Sequence, residues 1–167
     1  MSRFFPHATY AEDQPLAHTI LWTHVLTRAV TTGSVVGLGI FSAREASRRL
    51  SPTKAALPAL FPRLIRTAGT STIATVGVVT LGTVARMWGR QDIEWQDRSW
   101  RLMANSGQLS VDDWTYPSMI AAVLAAGASG RLVGAGPRGV IGVAGLGSVA
   151  GTVGYLGSLA LGKPTHS

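Results

Sequence analysis

Apolar residues run along this chain in four long blocks separated by polar intervals. The first extends from about Leu16 to Ala43 and is interrupted by Arg28; the second, Thr67–Ala85, contains no charged residue. The third, Pro117–Gly136, carries Arg131 near its end, and the fourth, Gly139–Gly162, is again uncharged. About 20 consecutive apolar residues suffice for a helix to cross the hydrocarbon core of a bilayer. The pattern therefore predicts an all-α membrane protein, with four transmembrane helices in two hairpins forming a single domain over residues 1–167.

The intervals support that division. Pro52, Pro58 and Pro62 punctuate the first connection and prevent one long helix from running through it. Between the second and third blocks, residues 87–116 form the one extended polar segment. It holds Trp88, Trp95, Trp100 and Trp114 and five of the eight acidic residues. Tryptophan gathers at membrane surfaces, where one side of the ring can be apolar and the other wet. Asp92–Ala104 within it is expected to form a short amphipathic helix lying on the bilayer. Trp95, Trp100 and Trp114 are then candidate contacts to lipid or to a neighbouring subunit.

Composition sharpens the class. Only 14% of residues are charged against 46% hydrophobic, and 20 of the 167 are glycine, whereas soluble domains carry about a quarter charged residues. No cysteine is present, which excludes disulfides and thiolate metal sites. The net charge of +7 first suggests nucleic acid. However, Arg44, Arg48, Arg49, Lys54, Arg63 and Arg66 fall between two apolar blocks with only Glu45 opposing them. That is the positive-inside arrangement of a short membrane loop. A single-strand-binding patch would interleave its cations with stacking aromatics, and only Phe61 is available here. No nucleic-acid partner is expected. The charge bias places both termini on the side of the polar segment, opposite the basic loop.

GAGPRG at 134–139 matches G-x-G-x-x-G. A dinucleotide site also needs a preceding strand and an acid about 20 residues on. The preceding residues are rich in Ala and Gly, and no Asp or Glu follows Gly139. The motif reads instead as a tight turn between two spans, Pro137 stopping the third helix, Gly136 taking positive φ at its cap and Arg138 reaching the headgroups.

Small residues then form a seam along the fourth span: Ala144, Gly147, Gly151, Gly154 and Ser158 recur at alternating steps of four and three. Ala29, Gly33 and Gly37 form a second ridge in the first span. In lipid, helix association depends on close backbone approach, which small residues permit.

Arg28 is the group that needs explanation. An arginine at the centre of a span costs about 2.5–3.5 kcal/mol on insertion scales. All eight acidic residues lie outside the four spans so drawn. Arg28 must therefore reach a headgroup, use a neighbouring subunit's carboxylate, or mark a later helix start. Arg131 is close enough to the turn to snorkel. His18 and His24, six residues apart, occupy different helix faces, so neither a metal site nor a cofactor is expected. No Ser–His–acid arrangement suggests catalysis.

The run EWQDRSWRLMANSGQLSVDDW at 94–114, followed by a glycine-rich helical pair, resembles a small family of membrane accessory subunits of mitochondrial respiratory complex I found in fungi. The stretch AEDQPLAHTILWTHVLTRAVTTGSVVGL at 11–38 resembles the same family. The resemblance implies a multi-pass inner-membrane subunit without its own redox centre, bound to other membrane-arm subunits in a hetero-oligomeric assembly and touching phospholipid. The termini would face the intermembrane space and the basic loop the matrix. The N-terminal segment, with Glu12 and Asp13, is unlike a cleaved Arg-rich transit peptide, so an internal import signal is expected. Four glycine-rich spans also resemble the Tim17/Tim22/Tim23 translocase family. That family's Arg and Asp after the second span are matched only loosely here, by Arg86 and Asp92.

Overall fold

The computed structural model describes residues 5–50 and 59–162, and among these every regular element is helical. A single 3-10 turn, Ala11–Asp13, precedes five α-helices: α1 (Ala17–Leu50), α2 (Leu60–Met87), α3 (Asp92–Ala104), α4 (Ser106–Ala128) and α5 (Gly136–Ala160). Lys54, Pro52 and Pro58 of the basic loop lie outside the described residues. Three helices, α1, α2 and α5, are long and apolar enough to cross a membrane, which marks the chain as a membrane protein. α4 is not among them.

The helices outrun the hydropathy that announced them. On α2 no charge falls between Arg66 and Arg86, a rise of about 30 Å, which matches the hydrocarbon thickness. The helix nevertheless continues past both arginines, because Arg and Met are good helix formers once the chain has left the apolar layer. α1 likewise runs on to Leu50, ending with Arg48 and Arg49 in its last turn, where cations complement the helix dipole.

The third predicted span, which corresponds to α4, departs most from the expectation. It begins not at Pro117 but at Ser106, with Asn105 as N-cap accepting a hydrogen bond from the Gln108 amide at 3.1 Å. A capping asparagine satisfies one of the orphan amides of a first turn. Pro117 sits inside the helix. The helix ends at Ala128, well before Gly136, because Gly130 adopts φ +68° just beyond it. The Gly130 and Arg131 amides close that end on Gly127 and Ala126 carbonyls, each at 3.0 Å. Gly134 and Gly136 both have positive φ, and Pro137 starts α5 rather than stopping its predecessor. Proline is well placed in a first turn, where its missing N–H removes no helical bond.

α1 and α2 form an antiparallel hairpin: Gly33 faces Thr72 and Gly37 faces Ala68, while at the far end Ala17 meets Met87. α4 and α5 form a second hairpin, Gly151 facing Trp114 and Val143 packing beside Ala126. The hairpins lie side by side with α5 against α2. Ile65 meets Gly139 and Thr72 meets Gly145, so α2 and α5 run in the same sense. Both connections therefore lie at one end, where Arg66 reaches the Gly134 carbonyl at 3.5 Å and Arg131 stands over the Phe61 ring.

At the opposite end α3 lies across the start of α1. Rather than lying on a bilayer by its apolar side, it buries Trp95, Ser99 and Met103, at four-residue steps, within the chain itself. Trp95 joins Ala17 and Met87 in a core that Leu21 and Trp22 complete, and it stacks on His18 with ring centroids 4.1 Å apart.

Candidate functional site

The chemistry-bearing residues of this fold meet between α1 and α4. His24 and Arg28 stand one turn apart on α1, and Gln108, Asp112 and Tyr116 stand at successive turns of α4. Arg28 Nη2 donates to Asp112 Oδ1 at 2.7 Å and reaches the Gln108 carbonyl at 3.4 Å. His24 Nδ1 lies 4.0 Å from the other carboxylate oxygen, Oδ2. The Asp112 side chain is 5% exposed, against 26% for Arg28. Next to the pair, the Thr27 and Tyr116 hydroxyls share a hydrogen bond of 2.7 Å.

This corrects the expectation that Arg28 must reach a headgroup or a neighbouring subunit's carboxylate: its partner is Asp112 of the same chain. α1 starts at Ala17, so a later helix start does not relieve the arginine either. Arg28 is about 24 Å along α1 from Arg44. The Gly33–Thr72 and Gly37–Ala68 contacts put Arg28 level with about position 77 of α2, near the middle of the charge-free stretch between Arg66 and Arg86. A bidentate-capable guanidinium and a carboxylate neutralise each other at that depth and satisfy each other's hydrogen bonds. The cluster is thus a fastener: it ties the first hairpin to the second by charge, and Thr27 and Tyr116 extend it by one neutral contact.

The missed signal was local. Reading 87–116 as one polar segment hid the Asn105 cap, and with it the four-residue spacing of Gln108, Asp112 and Tyr116 that puts all three on one helical face.

The other candidate residues fall in distinct places. Gly147 and Gly151 are buried against α4: a Cβ on Gly151 would stand 2.5 Å from the Trp114 carbonyl oxygen, and one on Gly147 2.6 Å from that of Ser118. Gly154 packs on the Trp114 ring, while Ala144 and Ser158 are half-buried. Ala29, Gly33 and Gly37 are buried on α1, and Cβ atoms on the two glycines would each stand 2.6 Å from an α2 backbone carbon. A further set escaped the sequence reading. Gly139, Gly142 and Gly145, at three-residue steps, face α2 and α1, and Gly69 of α2 opposes Gly142 so closely that neither leaves room for a side chain.

Of the tryptophans, Trp95 is internal, and Trp100 Nε1 donates to the Ala8 carbonyl at 3.0 Å. Trp114 remains 43% exposed. Arg131 covers Phe61 at 5.4 Å from the ring centroid, and Arg138 is exposed while its carbonyl abuts Gly69.

No protein-family model, curated protein or solved structure gives a significant match to this chain. Its functional reading therefore rests on its own residues and geometry.

Proposed function

We propose that the chain is a non-catalytic accessory subunit of mitochondrial complex I, embedded in the inner membrane and stabilising the membrane arm. The observation that carries the reading is the internal closure of the Arg28–Asp112 pair. Intramembrane charges in channels and carriers line an ion or substrate path, whereas this pair closes directly between two helices with its carboxylate 5% exposed. Here the charges are used to join two hairpins, as a structural component requires. The two stretches that carry the resemblance, 94–114 and 11–38, are also the ones that pack together through α3, α1 and this pair.

On this reading α4 is the fourth crossing, its Asp112 masked by Arg28 and its outer side bearing Ile120 and Leu124. Val78, Leu81, Val153 and Leu156 continue an exposed apolar girdle around α2 and α5, suited to lipid or to neighbouring subunits. The connections rich in arginine face the matrix and the α3 end faces the intermembrane space.

The test is where the polypeptide goes. Extracted in mild detergent and resolved on a native gel, it should migrate with complex I, and its deletion should impair membrane-arm assembly while the redox cofactors of the peripheral arm stay intact. Co-migration with the protein-import machinery would replace this reading by the translocase one.

A further inference from the structure

A groove of ≈ 620 Å³ runs along the outside of the first hairpin, between α1 and α2. Its walls change character along its length. Val36 and Ile40 line its α1 side, Ala74 and Val78 line its α2 side further from the connections, and Arg44 and Arg66 stand toward the end nearest the connections. We propose that this groove binds an anionic phospholipid, its phosphate held between Arg44 and Arg66 and one acyl chain lying along the apolar walls.

Three observations converge on that occupant. First, the cations are available. Glu45, the one acid at this end of α1, is taken up by Arg63 at 2.5 Å, with Arg48 and Arg49 at 4.0 and 3.9 Å. Among the described residues no carboxylate pairs with Arg44 or Arg66. Arg66 makes only a long contact to the Gly134 carbonyl. Two guanidiniums that converge without an acid suit a phosphate, which accepts from both.

Second, the dimensions fit one leaflet. From Arg44 back to Val36 is about 12 Å along α1, and from Arg66 to Val78 about 18 Å along α2. Half of a 30 Å hydrocarbon layer is about 15 Å. Arg66, at one end of the charge-free stretch of α2, thus stands at headgroup depth with Arg44 about 7.5 Å further out, and the groove ends at Val78, close to the midplane.

Third, Thr67, Thr70, Ser71 and Thr75 give the α2 wall short side chains, so the groove stays narrow and open. A partner helix is about 10 Å across and would place its own side chains, not an anion, between the arginines.

The proposal rests on the chain being a membrane protein and not on its place in complex I. The full-length chain would be reconstituted in nanodiscs of phosphatidylcholine containing a minor fraction of phosphatidylglycerol that carries a photoreactive acyl chain. Native mass spectrometry should show phosphatidylglycerol retained over phosphatidylcholine. The double variant Arg44→Gln/Arg66→Gln should reduce that retention about thirtyfold, as two guanidiniums near a membrane surface imply. The variant Arg90→Gln/Arg101→Gln, with the same charge change at the opposite end, should leave it unaltered. Photolabel should map to Val36, Ile40, Ala74 and Val78. Equal retention of the two lipids, retention that survives loss of both arginines, or label on the α4–α5 face would each overturn the site. Release of the unmodified chain from membranes by alkaline carbonate would instead overturn the membrane reading beneath it.

Discussion

The Ser34 and Thr72 hydroxyls share a buried hydrogen bond of 2.9 Å where α1, α2 and α5 converge, and Gly145 lies directly against them. A Cβ at position 145 would overlap Ser34 Oγ and lie 3.3 Å from Thr72 Oγ1. Three helices can meet here because one of them contributes no side chain.

Two substitutions of the same type should therefore have opposite effects. Gly145→Ala should destabilise the bundle by about 1–3 kcal/mol, the usual range for overpacking. Gly157→Ala, whose Cβ would meet nothing within 4 Å, should be neutral or stabilise by up to about 1 kcal/mol through helix propensity. Unfolding in mixed detergent micelles, followed by circular dichroism, measures both.

The α4–α5 contact can be read by cross-linking, since the chain has no cysteine to interfere. Thr115 and Thr152 hydroxyl oxygens are 3.5 Å apart. The pair Thr115→Cys and Thr152→Cys should form a disulfide readily. Adding Gly151→Leu, which drives a side chain into the Trp114 carbonyl, should separate the helices and suppress the bond. Undiminished cross-linking in that triple variant would count against close approach at Gly151.

For the ion pair, single and double substitutions should be non-additive. Arg28→Leu or Asp112→Leu alone leaves a buried charge without its partner, at a cost of about 3–5 kcal/mol. Arg28→Leu combined with Asp112→Leu should recover most of that loss, because two apolar side chains can fill the same space. Steady-state abundance in membranes and unfolding in detergent are the readouts. If the double variant is no better than the worse single one, the charges have a role beyond joining the hairpins.

The N-terminal segment has its own fastening. Gln14 is 2% exposed; its Nε2 donates to the Pro6 and Pro15 carbonyls at 2.8 and 3.1 Å, and its Oε1 accepts from the Ala8 amide at 3.2 Å. Gln14→Ala should free this segment at a cost of about 1–3 kcal/mol, since buried polar groups lose their partners. Gln14→Glu should also fail, because a carboxylate cannot donate to two carbonyls. Faster protease cleavage before Ala17 is the measurement.

Much of this architecture was legible in the chain. Long apolar blocks located α1, α2 and α5, and the amphipathic character of Asp92–Ala104 located α3. Hydropathy could not show where a helix ends after it leaves an apolar layer, and so placed α2 too short at both ends. It also placed α4 too late, because Asp112 and Asp113 lower the local average whether or not a partner neutralises one of them. A pairing across 84 positions of sequence has no local signature. What was available was Asn105, a capping residue, and a four-residue rhythm behind it. The glycine seam was sought on one side of α5 only, whereas Gly139, Gly142 and Gly145 give that helix a second flank of the same kind.

That the end of α1, the start of α2 and the turn before α5 lie together bears on how the chain enters a bilayer. On the proposed orientation, the end of the α1–α2 hairpin that carries Arg44, Arg48, Arg49, Arg63 and Arg66 would cross the oily layer while α3 stays behind. An electrical potential negative on the far side pulls on each net positive charge with about 2.3 kcal/mol per 100 mV. In an energised inner membrane and with that orientation, insertion of this polypeptide would be electrophoretic, and an uncoupler that collapses the voltage should leave it stranded at the surface it first met.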